Sequence, residues 1–210
     1  MSRDNILHKV RTALGRSAGQ PAPALAPPRL IVPEVDLETR IRRFAEALDA
    51  QAGKFHRATS LEDACAYAAA LIAGNTAVAS NAALLRECGI AALDGVRSGV
   101  TDERELRELC ARVDLGITSA DYALADTGTL VLFSSAEEAR MISLLPPMHL
   151  AVVRRERILT GLEELFTLEP LPGQRSSSMV LITGPSRTAD IEQILIRGVH
   201  GPGELHVVVV

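Results

Sequence analysis

His149-Leu150-Ala151-Val152-Val153 is an unbroken apolar run, entered through Leu144-Leu145-Pro146-Pro147-Met148. A strand with one wet face alternates apolar and polar residues, whereas a continuous run rich in Val reads as a strand covered on both faces. Met179 to Thr183 and Leu205 to Val210 repeat the pattern. Helical periodicity lies upstream of these runs. Asp36 is placed to cap a helix to about Ala52, with Leu37, Ile41, Phe44, Ala45 and Leu48 on its buried face. Ser60 opens a second helix to about Ala73, Asn81 is placed to cap Ala82 to Glu87, and Asp102 opens another through Ala111. Shorter strands are expected over Lys54 to Thr59 and Thr76 to Ser80. Alternation of this kind predicts an α/β domain built on an open, mostly parallel sheet with helices on both faces. One insert is expected: Tyr122 to Ala125 and Thr129 to Phe133 flank Asp126-Thr127-Gly128, an antiparallel hairpin signal.

The 210 residues carry 22 basic and 26 acidic side chains, a net charge of −4. Affinity for nucleic acid rests on clustered Lys and Arg. Here the clusters Arg40 to Arg43 and Arg154 to Arg157 are short, and six aromatics with no Trp make a poor base-stacking platform, so nucleic acid is not an expected partner. No apolar run approaches the roughly 20 residues of a membrane span. The N-terminus lacks the apolar core of a secretory signal, which predicts a cytoplasmic protein. Cys65, Cys88 and Cys110 stand far apart without a C-x-x-C, so neither a metal site nor an iron–sulfur cluster is expected in this chain.

Residues 1–33 form a separate unit in this reading. Ile6, Leu7, Val10 and Leu14 make one helical stripe, and the proline-rich stretch from Gln20 to Pro33 favours an extended strap. A helix this short is marginal alone, so it packs either on its own domain or on another subunit. The main domain is expected over 34–210.

Candidate chemistry falls on loops beside strands, since G-x-G-x-x-G, the P-loop, H-E-x-x-H and G-x-S-x-G are all missing. In Thr183-Gly184-Pro185-Ser186-Arg187-Thr188-Ala189-Asp190, Ser186 or Thr188 would cap a helix over Ile191 to Ile196. Its free amides, with Arg187, would bind a carboxylate or phosphate; Asp190 argues the other way by answering the helix dipole itself. Asp126, Thr127, Gly128 and Thr129 make an Asp-x-Gly turn that could also present a carboxylate and two hydroxyls to a crevice. His149 is the imidazole best placed for proton transfer, although a histidine at a strand terminus is more often a hydrogen-bonded structural residue. His200, beside Gly201 in a glycine-rich loop, is a second candidate, while His206 alternates with valines and reads as core. Glu137 and Glu138 are a candidate nucleophile or base, with a solvated acidic pair as the plainer reading.

Gly116 to Leu130, Leu144 to Val153, Ile182 to Glu192 and Gly198 to Pro202, in that order, resemble the lactate utilization protein C family (LutC/YkgG), which carries the LUD domain. The resemblance covers about 36–210 and is strongest after 116. It implies a Rossmann-like fold similar to the NagB/RpiA/CoA-transferase group. It also implies a place in a bacterial system oxidising L-lactate to pyruvate, beside partner subunits that hold the iron–sulfur clusters. Within that system a small carboxylate or other anion is the expected ligand of the 126–129 and 183–190 loops, with His149 or His200 as proton acceptor. A homo-oligomer stays open. A stand-alone enzyme of the sugar-phosphate isomerase or CoA-transferase kind is the alternative, with Glu137 or Glu138 as transferase nucleophile.

Overall fold

A computed structural model describes residues 2–21, 34–189 and 195–210. Two compact units appear, Met1–Leu30 and Ile31–Val210. In the first, Ser2 accepts a hydrogen bond from the Asn5 amide and opens helix α1 (Arg3–Ala13). None of its residues is buried, and Ile6, Val10 and Leu14 stay 51%, 49% and 67% exposed. The proline strap falls largely on 22–33, outside the described residues.

The second unit carries helices α2 (Leu37–Ala50), α3 (Leu61–Ile72), α4 (Ala83–Glu87), α5 (Glu103–Cys110), α6 (Leu162–Leu168) and α7 (Pro172–Arg175). Its strands are β1 (Lys54–Arg57), β2 (Ala77–Ala79), β3 (Val96–Arg97), β4 (Leu115–Ser119), β5 (Tyr122–Leu124), β6 (Thr129–Phe133), β7 (Met148–Val153), β8 (Ile158–Leu159), β9 (Met179–Ile182), β10 (Arg187–Ala189), β11 (Leu195–Arg197) and β12 (Glu204–Val209). Asp36, Ser60 and Asp102 cap α2, α3 and α5 through side-chain oxygens that accept the amides of Thr39, Asp63 and Glu105. Asn81 does not cap α4. Its side chain accepts from the Gly99 amide and donates to the Val100 carbonyl, tying two loops together.

Six strands form an all-parallel sheet in the order β1-β12-β7-β4-β2-β3. One face buries Leu115, Ile117, Leu150, Val152 and Val208 against α3 and α4. The other buries Ala151, Val153, Val207 and Val209 against α2 and a second sheet, while Val78 meets Leu106 and Cys110 of α5. Gly116 lies on that second face because a Cβ there would stand 2.0 Å from the Ile142 carbonyl oxygen. The expected α/β architecture is thus present: a Rossmann-like parallel sheet with helices on both faces.

The hairpin is larger than an insert. β5 and β6 pair antiparallel, β8 joins β5 in parallel and β9 joins β6 antiparallel, giving a four-stranded sheet β8-β5-β6-β9. Met179–Ile182 therefore does not belong to the parallel sheet, as its sequence suggested. It is an edge strand with Leu181 45% exposed, and a short apolar run does not distinguish an edge from a centre. The segment after Gly184 also departs from expectation. Arg187–Ala189 pairs antiparallel with Leu195–Arg197, so strands stand where the helix to Ile196 was predicted; Asp190 and 191–194 lie outside the described residues.

Candidate functional site

The loops picked out by sequence gather at the amino-terminal edge of the parallel sheet. The hairpin turn at Asp126–Gly128 packs on the end of α2; Gly128 has φ +66°, and a Cβ there would come within 2.5 Å of the Leu48 backbone nitrogen. Thr127 and Thr129 hydroxyls lie 2.8 Å apart, and Thr129 lies 2.8 Å from the Thr183 hydroxyl, a relay that joins this turn to the end of β9. Gly184 abuts Gln51, whose carbonyl accepts from the Arg187 guanidinium. The Ser186 amide donates to Pro202, the Gly198 amide donates to Ser186, and Gly201 sits beside the Ser186 side chain.

Thr127 and Ser186 thus belong to one cluster, but no helix start follows Ser186 among the described residues, because Arg187–Ala189 lies in a strand. The amides and hydroxyls that remain mostly bond one another.

His149 is fully buried in β7. Its Nε2 lies 2.8 Å from the Thr118 hydroxyl, its Nδ1 has no partner among the described residues, and burial drives its pKa down to about 3. A neutral imidazole sealed in the sheet has no route to a solvent proton. The structure therefore favours the structural role over the catalytic one. His200 is exposed in its glycine-rich loop. His206 is core: its Nδ1 lies 2.8 Å from the Tyr67 hydroxyl and its Nε2 2.9 Å from Glu204.

The opposite, carboxyl-terminal edge holds a buried carboxyl. β2 exits through α4 on one face, while its neighbour β4 exits into the second sheet on the other. Ligands of open α/β sheets bind at such a switch point, where diverging loops leave a crevice. Glu138 fills this one. Its Oε2 accepts from the Ser80 hydroxyl at 2.8 Å and from the Ser119 amide at 3.0 Å, while Oε1 has no partner among the described residues. Glu138 is only 8% exposed, and burial pushes its pKa up to about 8, with the Asp121 charge adding to the rise. It is not half of a solvated pair; Glu137 alone is exposed. At neutral pH the Glu138 carboxyl is a hydrogen-bond donor.

Glu138 lines a cavity of about 230 Å³ with Ser119, Asp121, Phe133 and Arg175. Arg175 stacks 4.1 Å over Phe133 and pairs with Asp121 and Glu169. Beyond that pair, a second cavity of about 180 Å³ shares Ser119, Asp121 and Arg175 and adds Arg154 and Arg157. Arg157 lies 5.4 Å over the Tyr122 ring and meets no carboxylate among the described residues. Sequence reading passed over Arg175 and took Arg157 only as part of a short basic cluster. Arg175 ends α7 and Arg157 follows β7, and nothing in the chain order brings them to Ser119.

The LUD domain family matches residues 41–210, from α2 to the end of β12. The chain belongs to the LUD domain family. It is 39% identical over 106 residues to lactate utilization protein C of Halalkalibacterium halodurans, covering 49% of this chain and 46% of that protein. A lactate utilization protein C from an Exiguobacterium species is 40% identical over 108 residues, 50% of this chain and 47% of that one. The Escherichia coli protein YkgG, uncharacterized, is 44% identical over 92 residues, 42% and 40% of the two chains. The alignments span about half the length of these relatives. A crystal structure of a DUF162 family protein from Deinococcus radiodurans shares the fold, with TM-score 0.64 at 21% identity, covering 84% of this chain and 99% of that one.

Cys88 and Cys110 are buried separately, with thiols pushed up to about 11 by desolvation, and no group of three or more metal-binding side chains occurs among the described residues. This LUD chain thus carries no cluster site among its described residues. No helix among them is long and apolar enough to cross a membrane.

Proposed function

We propose that this chain is the non-iron–sulfur subunit of a cytoplasmic, bacterial L-lactate utilization system that oxidises L-lactate to pyruvate. It would work beside subunits that hold the clusters, bind a small anion itself, and share distant kinship with the NagB/RpiA/CoA-transferase folds. What carries the reading is the LUD match through both sheets of the main unit, with aligned relatives named for lactate utilization. In this reading electrons leave the substrate for the partner subunits, and this chain's residues position the acid. The exposed Arg187, Thr127 and Thr183 at the amino edge would offer an anion contact by giving up the bonds they make to Gln51 and Thr129.

Deletion of the gene in its native host is expected to abolish growth on L-lactate while sparing growth on pyruvate. A tagged chain from lactate-grown cells should retain iron-containing partners. Unimpaired growth on L-lactate overturns the reading.

A second reading, a stand-alone transferase, draws support from Glu138 standing in the crevice as a carboxyl that could act as nucleophile. Thermal stabilisation by a CoA ester but not by L-lactate would favour it.

A further inference from the structure

The carboxyl-edge crevice changes character across its width. On the β4–β7 side, Arg154, Arg157 and Arg175 face a single lining carboxylate, Asp121. Glu87 and Glu169, which pair with Arg154 and Arg175, stand outside that lining, and Arg157 keeps its charge for a guest. On the β2 side, the guanidinium of Arg175 is joined by serines, the exposed Glu137 and the buried Glu138. Ser119, Asp121 and Arg175 are common to both sides. A guest matching this gradient has one anionic end and one uncharged oxygen.

We propose that this crevice binds a small 2-hydroxy or 2-oxo monocarboxylic acid. Arg157 and Arg175 would hold its carboxylate, and the Glu138 carboxyl would hydrogen-bond its second oxygen. Three observations converge on this. The crevice lies at the switch point of the sheet. Glu138 is more than nine-tenths buried with Oε1 lacking a partner, an arrangement that costs free energy unless something completes it. The two cavities, about 180 and 230 Å³, are of a size for a small acid. Asp121 and Glu137 further oppose a doubly charged guest such as phosphate. The choice of L-lactate as first probe rests on the proposed function; the crevice itself does not.

Titration calorimetry on the full chain would compare L-lactate, pyruvate, glycolate, propionate and inorganic phosphate. L-lactate or pyruvate should bind more tightly than propionate, which lacks the second oxygen. Arg157→Gln should weaken every carboxylate about tenfold, the loss of one charge-assisted contact. Glu138→Leu should erase the preference over propionate. Glu138→Gln keeps a donor, so it should retain binding at about pH 6.5 and remove the weakening seen in the wild type at about pH 9.5, where Glu138 is ionised. Asp121, Glu137 and Arg175 face this carboxyl, and Arg140, two residues along, reaches Ser178; none of these is altered in that variant.

A Glu138 with a purely structural role would leave wild type and Glu138→Gln with the same pH profile, which overturns the proposal. So do tighter binding of phosphate, no saturable binding of any acid, or wild-type affinity in both Arg157→Gln and Glu138→Leu. Preference for glycolate over L-lactate supports the crevice and sinks lactate as its guest. Tight L-lactate binding with unimpaired lactate growth on deletion sinks only the proposed function.

Discussion

The two edges of the parallel sheet carry similar residue types for different ends. At the amino edge, hydroxyls and amides are spent on one another: Thr127, Thr129 and Thr183 form a relay, and Ser186 is held by Pro202 and Gly198 through its backbone. At the carboxyl edge, a buried carboxyl keeps an oxygen without a partner and an arginine keeps its charge. Turn chemistry that is locally satisfied builds a frame; a buried carboxyl left incomplete where it lines a cavity marks a place for a guest.

The largest effect expected from this contrast is at Glu138. Its folded pKa of about 8 lies above the ordinary 4.5, so the unfolded chain releases a proton that the folded chain retains. Stability from this group is full below 4.5 and falls by about 1.4 kcal/mol per pH unit until about 8, on the order of 5 kcal/mol in all. Denaturant titrations across that range should show the stability of the wild type relative to Glu138→Gln falling as pH rises, the opposing His149 contribution being common to both. Equal slopes would mean the carboxyl is not buried as described.

Next comes the amino edge. Gly128→Ala combines a left-handed backbone with a clash against α2, costing on the order of 3 kcal/mol. A melting temperature lowered by roughly 6–12 °C is expected, with carboxylate binding by the folded protein unchanged. If binding fell instead while stability held, the two edges would exchange roles.

His149 gives a third effect of opposite sign in pH. Its folded pKa of about 3 lies below the ordinary 6.5, so its contribution is present above 6.5 and is lost as pH falls. By pH 5 the loss is about 2 kcal/mol. His149→Phe should flatten the acid limb between pH 5 and 7, and a His149 proton titrating near its ordinary value by NMR would contradict the sealed site. Smallest is Thr129→Val. It removes two buried hydroxyl contacts, so about 1 kcal/mol is expected from chemical denaturation. Any change in acid binding there would revive the amino-edge loops as the ligand site.

The helix caps Asp36, Ser60 and Asp102, the buried strands β7 and β12, and the Asp-x-Gly hairpin were all legible because each is decided within a few residues. A capping oxygen reaches amides three positions on, and a covered strand is apolar at every step. The helix after Ser186 was misread for a related reason: a cap residue ahead of Ile191 and Ile196 fits a helix, yet Arg187–Ala189 found a pairing partner in Leu195–Arg197 instead. Met179–Ile182 was misassigned because its apolar residues say that it is a strand and not which sheet receives it.

His149 and Glu138 show the same limit in the site. Each was a candidate by residue type, but burial separates a sealed imidazole from a carboxyl at a crevice, and burial belongs to the fold. The sequence alone determined the α/β class, the lone cysteines and the family resemblance, since composition, periodicity and motif order are properties of the chain. Only the tertiary structure set β2 beside β4 and so brought Ser80, Ser119, Glu138 and Arg175 together. Strand order arises from long-range packing, and no local signal in the intervening residues encodes it.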